Sequence, residues 1–473
     1  MIFDGISYRE YLYGLSRSSR NDAIVAFVDF VERRLGGVMM FPLSKAPLGE
    51  VGHLATFRIA TTLKDAGIIT SFARIRNIPD EPQFRFWEVI GNDSNQSRTS
   101  GMSLRDTDAL YAALAEGLER HLWLMEVDYF DSLARMTVSE AAGLGMTTLL
   151  PEQFVGFKPT KAAHGSREAI YAWIIGRSLL TGERVRLPAQ TSSGADLSSI
   201  GHEHSFRERT TAGLATWPTQ TGAQLAGLLE LIEHDAYMIM WFNQLTLPRL
   251  SLDSVSKMSH SLATLIEDCK RYQLTVHAIP MITDAPTHAI CVVVEDHSGS
   301  KPRFTVGLRA HNKLALCIEK ALLEALRARI HYRSTVSARL LDSKTPITQI
   351  THGQRVAYWA FEKHASHLQF LITGTQIDAE INPWEQDTDK EHLARLLNWC
   401  RGRQYECVSV SLSTPKNNPL AWHVEKIIVP DLQPLHLEEK NRVLTGKRLA
   451  DIPATRGFVP RSEPFIAMPH PFF

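Results

Sequence analysis

Between residues 221 and 242 the sequence runs Thr-Gly-Ala-Gln-Leu-Ala-Gly-Leu-Leu-Glu230-Leu-Ile-Glu233-His234-Asp235-Ala-Tyr-Met-Ile-Met-Trp-Phe. The segment reads as a long helix, apolar nearly all round from Leu225 to Ile232, and a helix of that kind has to be buried. It nevertheless carries Glu230 and Glu233, which helical geometry sets one turn apart on one face. Isolated carboxylates in an interior are costly, and they persist where they are paired or bound to a cation.

Two other helices carry the same anomaly. One spans about residues 106–125 and contains Tyr111-Ala-Ala-Leu-Ala-Glu116-Gly-Leu-Glu119-Arg120. The other spans about residues 312–331 and contains Leu316-Cys-Ile-Glu319-Lys320-Ala-Leu-Leu-Glu324, with Glu324 interrupting an apolar stripe. Acids from several helices converging in one interior make a site for a hard divalent cation, and magnesium binds oxygen ligands beside substrate phosphates. Taken singly, an ExxE pair is more often a solvated face or a salt bridge. A di-iron bundle would need ExxH on two helices, whereas Glu119 and Glu233 stand three residues beyond Glu116 and Glu230. His202-Glu203-His204 has no HExxH spacing and reads as surface, Gly143-Leu-Gly145 lacks a third glycine, and no GxxxxGK[ST] occurs. The residues alone point to a magnesium-dependent, phosphate-handling site.

The rest of the chain narrows the class. Its 473 residues hold 51 Lys+Arg against 51 Asp+Glu, which gives no support to a nucleic-acid binder working through bulk positive charge. The charge-free stretch at residues 210–229 contains Thr, Gln, Gly and Pro, so it is no membrane span. The first 14 residues lack an apolar signal core, and the five cysteines form no CxxC. A soluble cytoplasmic protein is expected. Residues 21–35 read as an amphipathic helix within an N-terminal extension, residues 1–45, that serves as a docking element; residues 46–473 form the main domain. Strands are expected from residue 52 to 87, in a hairpin over residues 170–187, at residues 274–283 and 288–294, and late at residues 408–412 and 427–429. Residues 91–101 and 192–209 read as loops, and no repeat at solenoid periods is present. Helices interleaved with strand pairs favour α/β or α+β.

These segments resemble the YcaO family, in its azoline-forming peptide cyclodehydratase branch, which serves thiazole/oxazole-modified microcin maturation. Residues 173–188 look like the family's strand hairpin, residues 227–241 its glutamate helix, and residues 428–436 a late motif. Pro469-His-Pro-Phe-Phe473 is similar to the branch's proline-rich end. The resemblance spans about residues 52–473 in the right order. It implies an α+β YcaO-type fold, with mixed sheets and helices around a central nucleotide and Mg site.

By resemblance, ATP is bound through Glu116, Glu119, Arg120, Glu230, Glu233, Lys320 and Glu324, with Mg2+ on Glu116, Glu230 and Glu233. Several positions depart from the family pattern. Ala112 replaces a serine, His234 replaces an arginine and Lys320 replaces an arginine, while Ala215, Pro218, Gly222 and Ala226 replace the polar residues of the middle motif. The implied reaction begins when a Cys, Ser or Thr side chain of a ribosomally made precursor peptide attacks the preceding carbonyl. ATP phosphorylates the resulting oxygen, and phosphate leaves to give a thiazoline or oxazoline. Phe473 is the expected proton acceptor through its carboxylate, with Pro469 and Pro471 stiffening the tail. The implied partners are the precursor peptide, a leader-binding or E1-like protein and a flavin-dependent dehydrogenase, with a homodimer inside the hetero-complex. Two alternatives stay open: a non-catalytic scaffold with a decayed ATP site, and a backbone thioamidation enzyme.

Overall fold

The computed structural model describes residues 2–3, 6–7, 50–93, 96–124, 133–159, 166–194, 203–334, 341–342, 344–414 and 416–472. The helix expected at residues 21–35 lies outside the described residues.

The first unit is helix α1 (Glu50–Asp65), strands β1 (Ile69–Ile75), β2 (Arg85–Gly91) and β3 (Arg98–Ser103), and helix α2 (Asp106–Leu124). The strand expectation for residues 52–65 is thereby corrected: Thr56, Ala60 and Leu63 are buried at helical, not alternating, spacing. The expected loop at residues 91–101 is also shorter, because Thr99, Gly101 and Ser103 alternate inward on β3. The three strands form an antiparallel meander with α2 packed against it.

Strands β4 (Arg135–Thr137), β5 (Ile170–Ser178), β6 (Arg184–Pro188) and β7 (Leu214–Trp217) follow, and then the long helix α3 (Gln220–Asn243). Thr219 caps α3 by accepting from the Gly222 N–H, and Gln244 closes it in the left-handed region at φ 49°. The order of the first unit then recurs in helix α4 (His260–Arg271), strands β8 (Leu274–Pro280), β9 (His288–Asp296) and β10 (Phe304–His311), and helix α5 (Leu314–Ser334). Pro280 ends β8, an edge strand, where the missing N–H costs no ladder bond. Helix α6 (Asp389–Arg403), strands β11 (Val408–Ser411) and β12 (His423–Ile428), and helix α7 (Arg448–Thr455) complete the labelled elements.

A six-stranded antiparallel sheet runs β4-β5-β11-β12-β7, with β6 also on β5 as the expected hairpin. One apolar core joins the first unit to this sheet and a second fills the other unit. A third surrounds α3, drawing in β9, β10, α6 and the last residues of the chain. A buried ion network ties the two units together: Arg329 holds both oxygens of Glu81 at 2.9 Å and also pairs with Asp296. Among the described residues no helix is long and apolar enough to cross a membrane.

Candidate functional site

The five glutamates singled out by sequence meet where α2, α3 and α5 approach one another. Four of them are aimed by single backbone N–H groups. Ser100 on β3 donates to Glu116 at 3.1 Å, and Leu308 on β10 donates to Glu324 at 2.8 Å. Ala310, also on β10, donates to Glu233 at 2.8 Å, and Gly213, just before β7, donates to Glu230 at 3.0 Å. Close helix–strand contact makes this reach possible. A Cβ on Gly101 would lie 1.9 Å from the Ala109 carbonyl, and one on Gly307 would lie 2.0 Å from that of Ala321.

The acids feel one another in pairs: Glu119 with Glu116 and Glu230, Glu233 with Glu230 and Glu324, and Glu324 with Glu116. Burial pushes the Glu119 carboxyl well above the usual range, and the charges of Glu230 and Glu116 push it further. Burial raises Glu230 to about 7 against the pull of the Gly213 N–H and Lys426. It raises Glu233 to about 8, with Arg309 opposing and Glu324 and Glu230 adding to the rise. Glu324 is also raised by burial, with a contribution from Glu116. Arg120 faces Glu116 from the next turn at 3.4 Å. Lys320 sits on the flank of the cluster: burial lowers its pKa, and its charged neighbours are Glu319, Arg309, Asp108 and Arg105.

Three cations of the site were not singled out from sequence, and one of them, Arg327, is the charge that most opposes the rise of Glu324. Lys426 on β12 is buried, and its Nζ donates to the carbonyls of Thr210 at 2.7 Å and Ala212 at 2.8 Å. Burial lowers it to about 7 while Glu230 opposes that fall. Arg309 acts on Glu230, Glu233 and Glu324 from β10. The available signal was the Glu425-Lys426 pair set inside an otherwise apolar strand. His234 occupies the position where arginine was expected. It is buried with its Nδ1 unpartnered among the described residues, and burial drives it down to about 4, so it is neutral.

Of Ala215, Pro218, Gly222 and Ala226, Gly222 is covered by an aromatic side chain. A Cβ on Gly222 would fall 1.9 Å from Cδ1 of Trp217, so the indole fills the space that a side chain at 222 would need. Gln220, near in sequence, instead donates to Glu425 at 3.2 Å.

The tail reaches the same region. Pro469, His470, Pro471 and Phe472 are all buried. Phe472 bridges in parallel to Val306 on β10, the strand that aims Glu324 and Glu233. Its ring lies 5.9 Å from Tyr237 and 6.3 Å from His234. Phe473 is outside the described residues.

A hard cation suits this donor set. Buried carboxylates are held against their own repulsion, and their raised proton affinity is relieved when a divalent ion replaces the protons. Glu116, Glu230 and Glu233 offer oxygen donors only, the chemistry that magnesium takes.

Comparisons with known proteins agree with this geometry. Among curated proteins none matches. A heterocyclase solved in complex with substrate and cofactor superposes with a TM-score of 0.69 at 19% identity, over 88% of this chain and 57% of its own. This chain thus spans little more than half of that protein's length. YcaO from Methanopyrus kandleri, bound with AMPPCP and Mg2+, superposes with a TM-score of 0.59 at 14% identity, over 81% of this chain and 91% of its own. A chain of the E. coli microcin synthetase McbBCD complex with pro-MccB17 bound gives 0.56 at 15% identity, over 76% of this chain and 88% of its own. At such identities these likenesses establish the fold. The family model described as YcaO cyclodehydratase, ATP- and Mg2+-binding, matches residues 100–433. That stretch is more than half of the sequence and contains all five glutamates, and the chain therefore belongs to the YcaO family.

Proposed function

We propose that this chain is the ATP- and Mg2+-dependent cyclodehydratase component of a peptide-modifying complex, converting Cys, or Ser and Thr, of a ribosomally made precursor to thiazoline or oxazoline. The observation that carries this reading is the meeting of five glutamates from α2, α3 and α5 with the buried tail on β10. Glu116, Glu230 and Glu233 would hold the cation, with Glu119 and Glu324 beside them. Mg2+-ATP supplies the phosphoryl group that carries away the carbonyl oxygen as the ring closes.

The chain's own residues prepare the site in four ways. Backbone N–H groups fix the carboxylates before anything binds, so little reorganisation is needed. Arg120, Arg309 and Lys426 surround the acids with positive charge, which limits the net charge and suits a polyphosphate. Pro469 and Pro471 fix their own φ angles on either side of His470, lowering the entropy cost of presenting the tail to the peptide. Trp217 gives the nucleotide side an apolar face in place of hydrogen-bonding groups.

The resemblance to a chain of McbBCD, solved with pro-MccB17, supports a precursor peptide and a hetero-complex here too. A leader-binding or E1-like partner, a flavin-dependent dehydrogenase and a second copy of this chain are the proposed associates.

Calorimetric titration of the purified chain with Mg-ATP tests the reading, with Glu233→Gln as control. Binding in the micromolar range, lost in a variant that still folds, is expected. Absence of binding, repeated with a partner present, would leave a scaffold role in its place.

A further inference from the structure

The tail's one polar side chain is anchored away from the acids. Pro469 and Pro471 have no N–H to donate, and His470 is the only polar side chain between Pro469 and Phe472. It is fully buried. Its Nε2–H donates to the His436 carbonyl at 3.0 Å, and its ring meets the His436 ring edge-on with centroids 4.7 Å apart. The same carbonyl accepts from Arg355 Nη2 at 3.0 Å. Arg355, itself fully buried, pairs with Glu439 at 2.9 Å, and Glu439 also accepts from His436 Nε2 at 3.2 Å and from Arg442 Nε at 2.9 Å. Beneath the tail there is thus a buried, connected polar frame, in which His436 Nδ1, His470 Nδ1 and Arg442 Nη2 have no hydrogen-bond partner among the described residues. Such networks are expensive to bury, and each bond that is made in them counts.

His436, Glu439 and His470 bring ligand-type atoms within 4.8 Å of one another. A metal ion there would face two guanidinium groups already paired with the single carboxylate. The cluster is therefore suited to hydrogen bonding and not to a cation.

We propose that His470 is a positioning residue. Its hydrogen bond to the His436 carbonyl sets the register in which Phe472 pairs with Val306, and hence how far the tail reaches along β10 towards Glu324 and Glu233. Val306 lies two residues before Leu308 and four before Ala310, whose N–H groups aim those two acids. A one-residue slip would turn the tail's other face to the strand. The functional meaning of the register rests on the cyclodehydratase reading; the register itself does not.

The experiment measures hydrogen exchange of the segment at residues 465–472 in the full chain, alongside Mg-ATP titration, for wild type and three His470 variants. His470→Ala and His470→Phe should speed exchange at Phe472 about tenfold or more, since a buried acceptor loses its donor. His470→Gln, which carries an N–H at nearly the same reach as Nε2, should restore protection. Wild-type protection in His470→Phe would overturn the proposal, because ring packing alone would then hold the tail. Loss of protection in the wild type on adding EDTA would overturn it too, by showing that a metal holds the tail. Mg-ATP affinity of His470→Phe should stay within about twofold of wild type. If the wild type binds no Mg-ATP, the proposed function fails while the exchange data still decide the role of His470.

Discussion

The unit from α1 to α2 and the unit from α4 to α5 share one scaffold and differ in charge. In each, the last strand donates a backbone N–H to a glutamate sixteen residues on, Ser100 to Glu116 and Leu308 to Glu324. In each, a glycine lets that strand press on the helix backbone. One turn after the glutamate they diverge: the first unit has Glu119, the second Arg327. Glu119 adds a further buried carboxyl to the cluster, its proton held by burial and by its acidic neighbours, whereas Arg327 reaches across to Ser100 Oγ at 3.4 Å. The scaffold thus fixes where the first acid points, and the next turn is free to take either sign. One unit adds a second buried carboxyl, and the other adds a guanidinium that pulls against the rise of its own Glu324.

The largest expected effect tests the shared scaffold. Gly101→Ala and Gly307→Ala should each destabilise the chain by about 3 kcal/mol, because the new methyl meets backbone and not a flexible side chain. Denaturant unfolding measures this, and tolerance at one site alone would end the equivalence of the two units.

Next, the division of labour can be sharpened at the acids. Glu116→Gln should weaken Mg-ATP binding about 100-fold and Glu324→Gln about tenfold, as expected for direct and supporting positions. The opposite ranking by calorimetry would move the metal towards the second unit.

A pH series probes the acids of α3 that stand between the two units. Glu230 and Glu233 rise in the folded chain to about 7 and about 8, from 4.5. The folded state therefore keeps protons that the unfolded state releases, and the thermal midpoint of the metal-free chain should fall as pH rises from about 4.5 to about 8. Lys426 acts with the opposite sign: lowered from 10.5 to about 7, it adds stability as pH rises between those values. Saturating Mg2+ should flatten the acid-driven fall. An unchanged slope would mean that no cation takes the place of those protons.

The smallest effect concerns Arg327. Arg327→Gln should cost about 1 kcal/mol in unfolding free energy, since it removes a long, half-buried hydrogen bond to Ser100 and the charge that opposes the rise of Glu324. A much larger loss would make this contact a principal joint between the units.

Much of the site was legible along the chain because buried acids violate the ordinary pattern of an apolar helix. Glu116, Glu119, Glu230, Glu233 and Glu324 could be picked out one helix at a time, and the hairpin of β5 and β6 followed from an apolar run that bends at Thr181-Gly182. Residues 52–65 and β3 were less legible, since short apolar runs and a Ser/Thr-rich strand carry weak periodicity. The recurrence of the helix–three-strand–helix unit left no trace at solenoid spacing, because the copies stand about 200 residues apart and share few side chains beyond the glycine and the aimed glutamate.

The sequence by itself determined that an apolar helix with two glutamates had to be buried, and that other helices carried acids suited to the same cation. Only the tertiary structure decided that the five acids meet, that Lys426 and Arg309 stand beside them, that Trp217 fills the space over Gly222, and that the tail lies on β10. The physical reason is that burial and helical phase are local properties of a chain. Which charges face one another, and which donor fixes which carboxylate, depends on contacts between residues as far apart as Glu233 and Ala310, or His436 and His470. Those pairings exist only once the strands have closed.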